Sequence, residues 1–417
     1  MLGVYRALLP LLLLPLSGYP AELGNGTTPN SLELSAEGDR LFRQAHFEEA
    51  EAAYRQAIDL DRTNLQGQLG MGKIAVMSSD TARAARYYSA AYQIDPRDPD
   101  AILGYANTVE NPAARRTLLR NFLSVSSSDW RAEDVKARLQ IAERMGTDAV
   151  AVTQSPWQSY RISLESAGTS GLLLRASIDR GRTLKLLVDT GASGIVLNAN
   201  AAAGMDLAYL ADAAIAGFGS DAPAAARVVR AASFDCGALR ILNPLVQIVR
   251  TNLIPGVDGV VGLDVFRDFL IRLDFRARTL ALAPLADSGC PGCRPIYRLG
   301  HLLLLPGTIH GHARGYFVID SGSPCSLISG TLVFQDGARA EFAGAQGKQE
   351  VSMLATPVAI RIGGRSVLES RYAAFHNSDL STRLGTEIAG VLGYSFLRDS
   401  VLTIDYNAGR ADLRAAK

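Results

Sequence analysis

The 417-residue chain reads as a multidomain protein of mixed class: an α-helical repeat followed by an all-β region built from two similar halves. Three observations predict this. Small and aromatic residues recur every 34 residues between Ser31 and Gly146. A single offset of 131 residues relates a series of landmarks after Arg161. The stretches around those landmarks are short, β-rich runs broken by Gly, Pro and Asn. Hydrophobic residues make up 48% of the chain and charged residues 20%, which is the balance of a globular protein rather than a disordered one. A formal net charge of +1 gives no electrostatic reason to expect nucleic acid or an acidic membrane surface as partner.

At the amino terminus, Arg6 precedes an apolar run from Ala7 to Leu16, and small residues follow up to Ala21. This order predicts a signal peptide over residues 1–21 and an exported protein, periplasmic or secreted. The run is shorter than the roughly 20 residues that span a bilayer. Pro10 and Pro15 also interrupt it, so no stable membrane span is expected once it is removed.

The helical region is expected over residues 31–146. Gly38 recurs as Gly72, Ala50 as Ala84, Tyr54 as Tyr88 and Ala57 as Ala91. Small residues let paired helices approach, and an aromatic fills the gap between neighbouring pairs. The stretch Phe47 to Ala57 resembles the second helix of a tetratricopeptide repeat, and Tyr88 to Pro96 repeats it. A third, shortened copy is expected over Asp100 to Ser126, and a capping helix over Asp129 to Met145. The resemblance implies a groove for substrate or a protein partner; a plain spacer is the alternative. Ser155 to Gln158 then reads as a linker.

In the β region, the apolar run Leu184 to Val188 ends in Asp189-Thr190-Gly191-Ala192. Tyr316 to Ile319 ends in Asp320-Ser321-Gly322-Ser323. The 131-residue offset relates Asp189 to Asp320, Gly259 to Gly390, Gly262 to Gly393, Asp268 to Asp399 and Asp274 to Asp405. Two Asp-Thr/Ser-Gly loops, each with its downstream Gly-apolar-apolar-Gly at equal distance, resemble the aspartic proteases of the pepsin and retropepsin type. The resemblance covers about Arg161 to Leu413 and implies an all-β, two-lobed aspartic protease fold, with lobes over residues 157–287 and 294–417. Ala192 follows the retropepsin pattern, and Ser323 looks more pepsin-like.

The chemistry implied is peptide-bond hydrolysis by a water held between two carboxylates. Close carboxylates cannot both ionise, so the pair shares one proton, and no cofactor or metal is required. Asp189 and Asp320 are the expected catalytic residues. Gly191 and Gly322 are expected to make room for the turns, while Thr190 and Ser321 are expected to hydrogen-bond across to the opposite loop. Ser323 is expected to place its hydroxyl at the edge of Asp320. Gly217, Phe218 and Gly219 are the candidate substrate flap, with Gly344 to Gly347 in the corresponding region of the second lobe. Cys290 and Cys293, with two residues between them, suit a small disulfide loop or free thiols. The chain contains no P-loop, His-Glu-x-x-His helix or Gly-x-Ser-x-Gly elbow. The rival reading is a peptide-binding scaffold that keeps protease-like lobes without activity.

Overall fold

A computed structural model of the chain describes residues 30–146, 150–215, 224–250, 256–285, 289–311, 313–330, 332, 339–344, 347–353, 356–370, 372–375, 381–382 and 384–417. Residues 1–21, where the signal peptide is expected, and the candidate flap Gly217–Gly219 lie outside the described residues. No described helix is long and apolar enough to cross a membrane. The described residues divide into two compact units, one of residues 30–135 with 381–388, the other of residues 136–375 and 389–417.

The helical unit holds three consecutive helix pairs: α1 (Ser31–Arg43) with α2 (Phe47–Leu60), α3 (Leu65–Met77) with α4 (Thr81–Ile94), and α5 (Pro99–Thr108) with α6 (Pro112–Val125). Their starts follow from the sequence. The side chains of Asn30, Asn64 and Asp98, spaced 34 apart, each accept a backbone N–H of the first turn that follows. Such a cap satisfies donors that the helix itself leaves unpaired. The turns inside the first two pairs repeat as well, with positive φ at Ala45 and Ser79. In the third pair, the cap Asn111 comes three residues earlier than the period requires, which is the predicted shortening.

Two tyrosines join the pairs. Tyr54 and Tyr88 are buried. A Cβ built on Gly38 or Gly70 would lie 2.6 or 2.4 Å from the Tyr54 ring, and one on Gly72 or Gly104 would lie 2.9 or 2.1 Å from the Tyr88 ring. Each ring is thus held between two glycines on the first helices of successive pairs. Within the same unit, Thr386 Oγ1 donates to Phe42 O (2.8 Å) and the Glu387 amide to Arg43 O (2.7 Å), which ties residues 386–387 to the end of α1.

The final helix, α7 (Ala132–Met145), departs from its expected role of capping the stack. From Lys136 onward it belongs to the other unit, where Ala137, Ile141 and Met145 pack with Leu210, Ala211 and Val228. Arg144 Nη1 donates to Leu210 O at 2.6 Å. The apolar face of α7 therefore serves the β region.

That β region repeats one strand order. In its first half the order is Leu172–Ile178, Leu184–Asp189, Gly259–Gly262, Ile195–Asn198, Leu245–Val249, Ala224–Arg230, Ala208–Ile215. In the second it is Leu302–Ile309, Ala313–Ile319, Gly390–Leu392, Ser326–Ser329, Tyr372–Phe375, Gly347–Met353, Arg339–Gly344. Each Gly-apolar-apolar-Gly strand runs parallel to the aspartate-bearing strand and antiparallel to its other neighbour. A third sheet joins the halves, pairing Phe269–Asp274 with Ser400–Asp405. In it Arg272 lies opposite Thr403, its own counterpart under the 131-residue offset, so the pseudo-twofold axis passes through that pair. One continuous hydrophobic core includes Leu186, Val188, Phe269 and Ile271 together with Ile319, Phe396, Leu402 and Ile404.

The glycine rings make a sharp test of the helical unit. Alanine is the better helix former by roughly 1 kcal/mol, but overpacking a core costs about 1–3 kcal/mol, and the contact at Gly104 is the shortest of the four. Gly104→Ala should lower the denaturation midpoint followed by the far-ultraviolet helical signal. An unchanged or raised midpoint would mean that the Tyr88 ring has room to move.

Candidate active site

The strand Leu184–Asp189 buries Leu184, Leu186, Leu187 and Val188 and delivers Asp189 at its end. The strand Ala313–Ile319 does the same for Asp320. Behind each loop runs a strand whose first residue has no room for a side chain. A Cβ on Gly259 would lie 2.1 Å from Val196 O, and one on Gly390 would lie 2.5 Å from Leu327 O, its counterpart under the same offset. Glycine is required there because the two backbones approach too closely for any side chain.

The loops are tied to each other reciprocally. Thr190 Oγ1 donates to Ile319 O (2.7 Å) and accepts from the Ser321 amide (2.9 Å). Ser321 Oγ donates to Val188 O (2.8 Å) and accepts from the Thr190 amide (3.1 Å). Thr190 and Ser321 are both buried, so these bonds are shielded from water. Gly191 and Gly322 occupy the closest approach. A Cβ on Gly191 would lie 2.7 Å from Asp320 Cγ, and one on Gly322 would lie 2.4 Å from Asp189 Cγ. Glycine here is a matter of space for the opposite carboxyl, not of a positive φ.

The result is that each carboxyl is pressed against the opposite loop, Asp320 against Gly191 and Asp189 against Gly322. Burial, the neighbouring charge of Asp320 and the bond to Asp320 push the Asp189 carboxyl well above the usual aspartate range. Burial also raises Asp320, against the opposing pull of its bond with Asp189, the amides of Gly322 and Ser323, and the charge of His301. Gly191 N donates to Asp189 Oδ1 at 2.7 Å, and Gly322 N to Asp320 Oδ1 at 3.0 Å. Such a pair holds a proton more tightly than two separate aspartates would.

Residues 174–265 match a protein-family model described as aspartyl protease. The first half of the β region is similar to aspartyl proteases. The matched segment contains Asp189, its loop and the first glycine pair, and it ends before the second aspartate. Among solved structures, an aspartic proteinase from Irpex lacteus matches with a TM-score of 0.40 and 14% identity, over 62% of this chain and 98% of that one. None of the curated proteins matches the chain.

One expectation about the loops needs correction. The Ser323 hydroxyl donates to Cys325 O at 2.7 Å, so it is turned away from Asp320. It is the Ser323 amide that reaches Asp320 Oδ1, at 3.2 Å. A serine hydroxyl close to a nearby backbone carbonyl readily closes such a local bond. Cys290 and Cys293 are joined as a disulfide, one of the two states expected for them, in the connection between the halves. In the second half, Gly344 and Gly347 face each other at the end of an antiparallel hairpin.

Three residues around the loops escaped the sequence reading. Asp264 accepts from Ser193 Oγ (2.6 Å) and the Gly194 amide (2.8 Å), bracing the loop of Asp189. The second half braces differently: buried Glu369 accepts from Ser326 Oγ (3.2 Å) and Ser395 Oγ (3.1 Å). His301 Nε2 donates to Gly191 O at 2.9 Å. The duplication could have drawn attention to position 264, whose counterpart is Ser395, but it gives no signal for Glu369 or His301.

The reciprocal bonds predict a specific loss. Thr190→Val keeps the side-chain volume but orphans Ile319 O and the Ser321 amide, each worth about 1–3 kcal/mol when buried and unpaired. The denaturation midpoint of Thr190→Val should fall by the sum of the two. Combined with Ser321→Ala, the loss should be less than additive, because both hydroxyls belong to one network.

Proposed function

We propose that the chain is an aspartic endopeptidase that hydrolyses peptide bonds with a water held between Asp189 and Asp320. The observation that supports this most directly is the pair of carboxyls on two duplicated loops that are tied reciprocally through Thr190 and Ser321, each carboxyl lying against the opposite loop's glycine. With one proton shared, one carboxyl is ionised and the other neutral. The ionised one takes a proton as the water oxygen bonds to the scissile carbonyl carbon, while the neutral one donates a hydrogen bond to the carbonyl oxygen. Collapse of the tetrahedral intermediate breaks the carbon–nitrogen bond, and a proton passes to the leaving nitrogen. The products are a carboxylic acid and an amine, and no covalent enzyme intermediate is needed.

In this reading the substrate is a peptide or protein, and Gly217, Phe218 and Gly219 belong to the flap that covers it. The helical pairs are a tetratricopeptide-like surface for substrate or a protein partner. The amino-terminal signal sends the protein to the periplasm or the outside.

Purified protein incubated with a peptide library should give internal cleavage. Asp189→Asn and Asp320→Asn should each reduce turnover by about 100–10,000-fold, the typical worth of general acid–base catalysis. If either well-folded variant cleaves at wild-type rates, the scaffold reading takes over.

Stability should depend on pH with a definite sign. The folded pair holds protons more tightly than the unfolded aspartates do, so its contribution is fully present in acid. It is lost as pH rises from the unfolded aspartate value through the raised folded one. Asn at position 189 does not titrate, so Asp189→Asn should gain stability relative to wild type as pH rises through that window. Chemical denaturation of both proteins across the pH range checks this. A difference that stays flat, or that shrinks with rising pH, would mean the carboxyls are not raised.

A further inference from the structure

The duplication makes the two halves of the site equivalent in sequence position, and His301 is where they differ most. Registers define the equivalence. Leu173 pairs with Leu187, and Leu304 with Val318, so the first strand of each half sits identically against its aspartate strand. Three residues before Leu173 is Ser170, and three residues before Leu304 is His301.

The turns that lead into these strands have different lengths. In the first half Ser166 pairs with Leu172, leaving five residues between. In the second half Leu299 pairs with Leu302, leaving only Gly300 and His301. Each turn reaches the catalytic loop of the opposite half. Gly171 comes against Ser321 O, with a built Cβ 3.1 Å away, and carries no side chain to contribute. His301 instead places Nε2 2.9 Å from Gly191 O. A carbonyl only accepts, so Nε2 carries a proton, and in the cationic ring both nitrogens do.

We propose that His301 is a positioning residue that breaks the symmetry of the pair: it holds the Asp189 loop through Gly191 O and favours negative charge on Asp320, leaving the shared proton on Asp189. This rests on the protease reading of the same site. The Ser323 amide reaches Asp320 Oδ1 (3.2 Å) as well as the backbone oxygen of Asp320 (3.3 Å), while the corresponding Ala192 amide reaches the backbone oxygen of Asp189 (3.3 Å). The charge of His301 stabilises ionised Asp320. Asp320 is then the base that takes the proton of the water. Asp189 is the acid that donates to the substrate carbonyl.

The titratable and charged groups on the surrounding elements are few. Asp189 and Asp320 follow the two central strands. Asp264 is held by Ser193 Oγ and the Gly194 amide. Arg298, on the strand before His301, has its guanidinium over the Tyr406 ring at 5.5 Å. His301 is the basic side chain bonded directly to a catalytic loop.

The test is a carbon-13 NMR titration of the aspartate carboxyls in the full chain, with resonances assigned from Asp189→Asn and Asp320→Asn. In the wild type, between the two ionisations, the Asp189 carbon should show the protonated shift and the Asp320 carbon the ionised one. His301→Gln keeps an N–H for Gly191 O but has no charge. It should move the acid ionisation of the pair up by about one pH unit, the scale of a single charge acting across a protein interior. The acid limb of kcat/KM should move with it, while kcat at the optimum stays within a fewfold of wild type. His301→Ala should show the same shift and in addition lose about tenfold in kcat. A His301→Gln titration identical to wild type, or a shared proton found on Asp320, overturns the proposal. The NMR arm is independent of turnover. A shifted titration without any peptide cleavage upholds the role of His301 and rejects the protease reading instead.

Discussion

Two buried carboxyls pressed together are a costly arrangement, and the loops and strands around Asp189 and Asp320 are built to hold it. Left to themselves, two ionised aspartates at that distance repel, and burial penalises each charge further. The structure answers with rigidity. Thr190 and Ser321 exchange four hydrogen bonds across the loops, each hydroxyl both donating to a carbonyl and accepting from an amide. Gly191 and Gly322 bring the backbone so near the opposite carboxyl that a methyl group would collide with it.

The same constraint explains the strands behind the loops. The aspartates sit at strand ends, and Gly262 pairs with Asp189 itself in the parallel ladder. Crossing strands must approach within backbone distance to cover these ends, which is why Gly259 and Gly390 meet carbonyl oxygens where other residues would meet side chains. The pseudo-twofold axis then runs through the Arg272–Thr403 pair of the joining sheet, so that sheet and the loop bonds share one symmetry.

Symmetry of backbone does not extend to the bracing side chains. Asp264 supports one loop directly, while Glu369 supports the other half through two serines. His301 occupies a position whose counterpart is a serine on a longer turn. Two loops with the same backbone and different neighbours present different fields to a shared proton. A duplicated chain can in this way assign distinct roles to two identical side chains.

Periodicity made the repeating parts legible in the sequence. The 34-residue spacing marked the tyrosines and one glycine of each ring pocket, and the 131-residue offset marked both aspartates and the glycine pairs, because each copy must rebuild the same local geometry. Gly70 and Gly104, the other walls of the tyrosine pockets, also lie 34 residues apart, so the same spacing carries them. The direction of the Ser323 hydroxyl, the packing of α7 on the strands, and the approach of His301 to Gly191 were decided by tertiary structure alone. Each depends on a contact between segments far apart in the chain or on a local choice between competing acceptors. A repeated local pattern leaves a trace in sequence spacing, whereas a single contact formed once leaves none.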